Sequence, residues 1–190
     1  MATQRARRTP LALAVLSLLN ERPMHPYEMQ ALIKDRHVGR VVRMRGGSVY
    51  DTVARLAASG LIEPVGTSRA GARPERTSYE ITATGRGELD SLLDEYLAEP
   101  INEYPRFPAG LAHILNLAPE RAAELLDRRA AALRAASAEL TADLAAAKVA
   151  GIPEIVLIEG ELQRELLDTE LRWVARAARR IADGDLPWPT

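Results

Sequence analysis

Leu11, Leu13, Val15, Leu16, Leu18 and Leu19 follow one another so closely that the helix they form must be covered over most of its surface, with a subunit interface as one available cover. Thr9 and Pro10 predict its start: an N-cap hydroxyl, then a proline whose missing N–H would be unpaired in any case. Asn20, Glu21, Arg22 and Pro23 break the pattern. A second helix is expected from Pro26 to about Asp35, with Tyr27, Met29, Leu32 and Ile33 as its apolar positions. Val41 and Val42 leave room for one short strand. Gly46 and Gly47 then turn the chain tightly into a third helix, capped by Gly47 or Ser48. Val49, Val53 and Leu56 recur at i, i+4 and i+7 and point inward, which leaves Tyr50, Asp51 and Arg55 on the opposite or flanking side. Ser59-Gly60 ends this helix through a left-handed cap residue.

The spacing then changes to that of short strands. Leu61 to Val65 and Thr77 to Ile81 are expected to pair as an antiparallel hairpin around a polar, glycine-containing loop from Gly66 to Arg76. That loop carries Arg69, Arg73 and Arg76 against one acid, Glu75. A helix, a turn and an arginine-tipped ribbon in this order make a winged helix-turn-helix, whose usual partner is duplex DNA. Arginines on a projecting ribbon meet phosphates or enter a minor groove. On this reading Ser48, Tyr50, Asp51 and Arg55 lie near base edges and backbone, while Arg43, Arg45, Arg73 and Arg76 hold phosphates.

Beyond the hairpin, Thr82 is placed to cap a helix that starts near Ala83, carries Leu89, Leu92, Leu93 and Tyr96 inward, and stops at Pro100. It is the expected bridge between the two halves of the chain. The segment from Glu99 to Pro108 holds three prolines and reads as a connector. Past Pro119, Ala123, Ala130, Ser137 and Leu144 alternate with Leu126, Leu133, Leu140 and Ala147 in a seven-residue repeat about four heptads long. Gly151-Ile152-Pro153 ends it. A final helix sets Ile155, Ile158, Leu162, Leu166, Thr169, Trp173 and Ala177 along one stripe. Two such helices joined by a short turn form an antiparallel hairpin with more apolar surface than a monomer would leave bare. Pairing of two copies covers it, as would packing back onto the first module. The predicted architecture is mainly α: a winged helix-turn-helix domain with a two-stranded wing and a linking helix over residues 1–98, then a helical hairpin domain for dimerisation and effector response over 99–190.

Charge separates the halves in the same place. The 190 residues carry a net charge of −1, but the first 86 hold fourteen Lys and Arg against seven Asp and Glu, a net of +7. The remainder holds eleven against nineteen, a net of −8. Polyanion binding therefore belongs to the first module. The chain has no cysteine, which removes disulfides, thiolate zinc sites and cysteine nucleophiles together. No apolar run approaches a membrane span and there is no secretory leader, so a soluble, cytoplasmic protein without a membrane partner is expected.

Catalysis finds no support. His25, His37 and His113 are scattered, with no carboxylate or serine at triad or metal-ligand spacing. Neither a Walker-type phosphate loop nor an HExxH pair is present. Asp94-Glu95, and Glu159 with Glu161, read as solvated helix faces. No cofactor or metal is called for, and the chain does not read as an enzyme.

Several pieces taken together are similar to the PadR family of bacterial transcriptional regulators. They are Leu11 to Leu19, His25-Pro26-Tyr27-Glu28, Gly47-Ser48-Val49-Tyr50 with Arg55-Leu56 and Gly60-Leu61-Ile62, the Arg73-Pro74 wing, and Tyr79-Glu80-Ile81-Thr82 before Thr84-Gly85-Arg86. The resemblance covers roughly Leu11 to Leu92. Pro26 takes the second place of the family's His-Gly-Tyr-Glu turn, and Ala57 stands where an acid often follows Arg-Leu; both touch scaffold more than binding face. The resemblance implies a homodimer whose recognition helices occupy successive major grooves of a palindromic operator, with Ser48, Tyr50 and nearby positions on DNA. It further implies two-fold pairing through the carboxyl-terminal hairpin and release by a small aromatic effector at the dimer centre, where Trp173 and Met29 are candidate lining residues. The contrasting reading is a winged-helix adaptor that recruits a protein partner through the hairpin helices and does not itself bind DNA in a sequence-specific way.

Overall fold

The computed structural model describes residues 8–36, 42, 47–68 and 76–189. The chain divides into two compact units, Met1–Asn102 and Glu103–Thr190.

In the first unit, α1 (Pro10–Glu21) begins as the sequence predicts, with the Thr9 hydroxyl accepting from the Ala12 amide and Pro10 opening the first turn. Leu11, Ala12, Val15, Leu16, Leu18 and Leu19 are all buried, and α1 packs against α3 (Ser48–Ala58), α4 (Ala83–Ala98) and the second strand of the hairpin. The dense leucine run is thus the spine of this unit's core. α2 (Pro26–Asp35) buries Met29 and Ile33. Tyr27, expected to face inward, is 64% exposed instead, because the 100° step from residue to residue carries it away from the side that Met29 and Ile33 occupy. Val41 lies outside the described residues. Val42 is buried in a bend, so no strand forms there among the described residues.

The hairpin joins β1 (Ile62–Ser68) to β2 (Arg76–Ile81) in antiparallel register, from Ile62 opposite Ile81 to Ser68 opposite Arg76. Both strands run further toward the wing tip than the hydrophobic alternation indicated. The register slips between Pro64 and Gly66, an irregularity at Val65 that bends the ribbon. Arg76, read as loop, is the first residue of β2. Met24 adds a one-residue third rung: its amide and carbonyl exchange hydrogen bonds of 3.1 Å with Tyr79. The hairpin is thereby tied to the turn between α1 and α2.

α4 starts as predicted, the Thr82 hydroxyl accepting from the Gly85 amide at 3.0 Å. Leu89 and Leu92 are buried and Tyr96 is half-buried, but Leu93 is 40% exposed, a correction to the inward set. Arg8 clasps the outside of this helix, donating to Glu88, Glu95 and the Ser91 hydroxyl and carbonyl.

In the second unit the proline-rich connector is not wholly irregular. Pro105 leads into a short α5 (Arg106–Leu111), and a 3-10 turn follows at Ile114–Asn116. α6 (Pro119–Val149) and α7 (Glu154–Ala182) form the expected antiparallel hairpin, joined by a turn in which Gly151 adopts a left-handed φ of 77°. Ala123, Leu126, Ala130, Leu133, Ser137 and Leu140 of the heptad repeat are buried, while Leu144 and Ala147 near the turn are half-buried. The Ser137 hydroxyl donates to the Asp168 carboxylate across the hairpin, a polar pair in an apolar seam that sets the helices' register. α7 faces α6 through Leu157, Gly160, Val174, Ala178 and Ile181. The stripe singled out in the sequence is mostly the other face. Ile155, Ile158, Leu162 and Leu166 are between 59% and 74% exposed.

Candidate nucleic-acid interface

α3 is built to show one face. Val49, Thr52, Val53 and Leu56 sink into the core, where α1, α2 and β1 meet the helix. Tyr50, Asp51, Ala54 and Arg55 are exposed, as expected from the i, i+4, i+7 spacing. The helix is entered through Gly47, whose φ of 80° lies in the left-handed region that a side chain would strain, and whose carbonyl accepts from the Asp51 amide at 3.1 Å. Gly47 at the N-cap offers no side chain to cap the first turn. Positive potential from the helix dipole therefore gathers where Ser48 and Asp51 stand. Gly60, with φ 69°, ends the segment, its amide bonding back to the Ala57 carbonyl.

Within this face the side chains hold one another. The Thr52 hydroxyl donates to the Ser48 carbonyl at 2.8 Å, and Arg55 donates from Nη2 to the same hydroxyl at 2.9 Å and from Nε to the Asp51 carbonyl at 3.3 Å. Arg55 thus lies along its own helix, its guanidinium steered by a buried threonine. Thr52 is a positioning residue that the sequence reading missed; its spacing of three before Arg55 and four after Ser48 was the available signal. Tyr50 packs edge-on against His25 with ring centroids 6.4 Å apart. His25 is itself the N-cap of α2, its Nδ1 accepting from the Tyr27 amide at 3.0 Å. His25 and Tyr50, read separately in the sequence, form one aromatic patch, and the exposed Tyr27 stands two residues along from His25.

Ion pairs brace this unit. Arg36 binds Glu21 across the ends of α2 and α1, and Arg22 binds Glu28. The hydrogen bond from Arg36 holds the Glu21 carboxyl below its ordinary range, and that from Arg22 does the same for Glu28.

Of the remaining expected DNA contacts, Arg43, Arg45 and Arg73 lie outside the described residues, and Arg76 is placed by its backbone at the start of β2. The effector candidates separate. Met29 is completely buried in the first unit's core, where it packs among apolar neighbours. Trp173 is 42% exposed on α7 and meets Phe107 edge-on at 6.1 Å. Among the described residues no group of His, Cys, Asp or Glu has the makings of a metal site, and no helix is long and apolar enough to cross a membrane.

An exposed polar helix face beside an antiparallel ribbon, on a core spanned by α1, defines a winged helix-turn-helix protein. Residues 15–91, within the first unit, match the Transcriptional regulator PadR-like family. Solved structures agree in fold. Bacillus subtilis PadR in complex with operator DNA is 19% identical, with a TM-score of 0.70 over 89% of this chain and 97% of that one. The same Bacillus subtilis protein in complex with p-coumaric acid gives 18% identity and a TM-score of 0.69 over 91% and 99%. The Vibrio cholerae virulence activator AphA is 19% identical, with a TM-score of 0.62 over 92% and 98%. Comparison with curated proteins gave no match.

Proposed function

We propose that this protein is a homodimeric, cytoplasmic transcriptional repressor that binds a palindromic operator and is released by a small aromatic effector. The observation that carries the proposal is α3: its apolar positions are buried while Tyr50, Asp51 and Arg55 stand exposed at the start and flank of a helix within the stretch that matches the PadR-like family. In the proposed complex Ser48, Tyr50, Asp51 and Arg55 approach base edges and backbone in the major groove, while Arg43, Arg45, Arg73 and Arg76 secure phosphates. The net of +7 on residues 1–86 favours that surface for a polyanion.

The exposed stripe of Ile155, Ile158, Leu162 and Leu166 on α7 supports dimerisation, since a second copy related by a two-fold axis would cover it with the same stripe. Two heads carried on one dimer would read half-sites about one helical turn apart, roughly ten base pairs, or a multiple of it. The effector would act by favouring a spacing of the heads that no longer fits DNA. Support for an aromatic effector comes from the relative solved with p-coumaric acid.

The test is a mobility-shift titration on the promoter region beside the protein's own gene, at several salt concentrations, with Arg73→Ala and Arg76→Ala compared with the unaltered protein. A sequence-selective shift is expected, and each lost phosphate contact should lower the log-log salt slope by about 0.9. Unchanged slope and affinity would remove the wing from the interface. No selective shift at any salt would favour the protein-recruiting adaptor.

A further inference from the structure

Tyr50 stands on the open face of α3, and its hydroxyl makes no hydrogen bond among the described residues. A helical backbone leaves such a side chain two staggered directions at its first torsion, and with nothing beside it an exposed tyrosine divides between them. His25 is what stands beside it. The two rings meet edge-on, their planes 74° apart, a geometry that the phenol makes from one direction.

His25 is itself held on both sides. Met24, one residue earlier, is buried and exchanges its two backbone hydrogen bonds with Tyr79 of β2. The His25 carbonyl accepts from the amides of Glu28 and Met29 at 2.9 and 3.1 Å, in the first turn of α2. The ring is fixed as well, since its Nδ1 accepts from the Tyr27 amide. A half-buried imidazole tied to β2 through Met24 and to α2 through its cap is thus a rigid wall for a side chain on α3.

Capping alone does not call for an imidazole. Ser, Thr, Asp and Asn cap a helix with a small polar side chain, and Asn would supply the same acceptor to the Tyr27 amide. The ring does what those residues are too short to do, reaching from the start of α2 to the aromatic side chain on α3. Arg55, on the same helix as Tyr50, is likewise steered by a neighbour, Thr52.

We propose that His25, which lies outside α3, is a positioning residue for Tyr50: its ring selects the direction in which the phenol stands, and so decides which base pair the phenol meets. The proposal rests on the regulator reading above for what Tyr50 meets, and on the ring geometry alone for the positioning. An edge-to-face pair favours one orientation by a factor of about three to ten, and selectivity at the affected base pair is expected to fall by the same factor when the pair is lost.

The experiment separates the two duties of one ring in the full-length protein. His25→Asn keeps a cap and removes the edge contact; His25→Phe keeps an edge and removes the cap. Base preferences are read by sequencing the duplexes that each protein retains from a random pool, stability by the urea midpoint, and the direction of Tyr50 by the ring signals of labelled tyrosine in the absence of DNA. The chain has five tyrosines, and the Tyr50 signal is the one that Tyr50→Ala deletes. His25→Asn is expected to hold the urea midpoint, to shift the Tyr50 signal, and to lose three- to tenfold selectivity at the base pairs where Tyr50→Ala loses it. In the Tyr50→Ala background it should change those preferences no further. His25→Phe should show the reverse, with a lower midpoint and preserved preferences; if it does not fold, His25→Asn and the double variant decide alone. A Tyr50 signal unmoved by His25→Asn overturns the proposal, as do unchanged base preferences or losses that add to those of Tyr50→Ala. The failure of the regulator reading looks different: the unaltered protein then retains no preferred sequence, while the Tyr50 signal still shows whether His25 directs the ring.

Discussion

Gly85 sits where the first turn of α4 meets the end of the hairpin, and a Cβ there would lie 2.0 Å from the Leu61 carbonyl oxygen and 2.8 Å from the Ile81 side chain. Backbone cannot give way as a side chain tip can. Gly85→Ala is therefore expected to cost about 3 kcal/mol, read as a lower urea midpoint. Gly160 on α7 makes the contrast: a Cβ would press on a Leu144 methyl at 2.9 Å, the mobile end of a side chain. Gly160→Ala also gains about 1 kcal/mol of helix propensity, so its net effect should stay within about 1 kcal/mol of zero. The Glu21 and Arg36 pair sets a pH dependence. The hydrogen bond from Arg36 lowers the folded-state pKa of Glu21, so its stabilisation is present above the ordinary carboxylate range and is lost as pH falls through the lowered value. Exposure and salt keep such a pair small. Glu21→Gln should be slightly less stable than the parent near neutral pH, and denaturation curves of the two should converge in acid; a gap that widens in acid would contradict this.

At the scale of elements, α7 has two apolar stripes with different duties. One closes the hairpin against α6 through Leu157, Val174, Ala178 and Ile181; the other, from Ile155 to Leu166, is bare in the single chain. A charge placed on the second should leave the hairpin intact and disturb what covers it. In a two-fold dimer each substitution enters the interface twice, at about 2 kcal/mol per buried leucine replaced. Leu162→Glu is accordingly expected to weaken dimerisation on the order of a thousandfold without loss of helical circular dichroism. Sedimentation over a concentration series measures it, and an unchanged association state would mean that this stripe is not the interface. α3 shows a related economy. Its buried Thr52 is hydrogen-bonded to both its own helix and Arg55, so Thr52→Val should free the arginine while preserving volume, and is expected to alter DNA selectivity more than stability.

For the whole molecule, opposite net charges on the two parts of the sequence mean that pI, about 6.3, misrepresents how the proposed regulator would meet DNA. On that proposal polyanion affinity would belong to the first part, and the acidic remainder would discourage DNA from lying elsewhere on the chain. If two heads are fixed on one dimer, inserting about five base pairs between half-sites turns one of them to the opposite side of the duplex. Binding to such an operator should fall toward that of a single half-site. Equal affinity before and after the insertion would argue for heads that act independently.

Local patterns were sufficient for most elements. Thr9-Pro10, Thr82 and the pair of Gly47 and Gly60 mark boundaries because capping and left-handed turns depend on a few neighbouring atoms, and the heptad of α6 identifies its buried face because helical spacing is regular. The exposed Tyr50, Asp51 and Arg55 follow from the same spacing. Tertiary contacts decided the rest. Nothing near Met24 in sequence announces its pairing with Tyr79, and no local spacing joins Trp188 to Leu117 or brings both indoles to one cleft. Tyr27 falls off the buried face of α2 by helical spacing itself, whereas Leu93 looks like a core residue until the packing of α4 decides which side is covered. On α7 hydrophobicity alone does not distinguish a stripe that packs within the chain from one left bare: both lower their free energy by leaving water, and only the position of α6 determines which of them has done so.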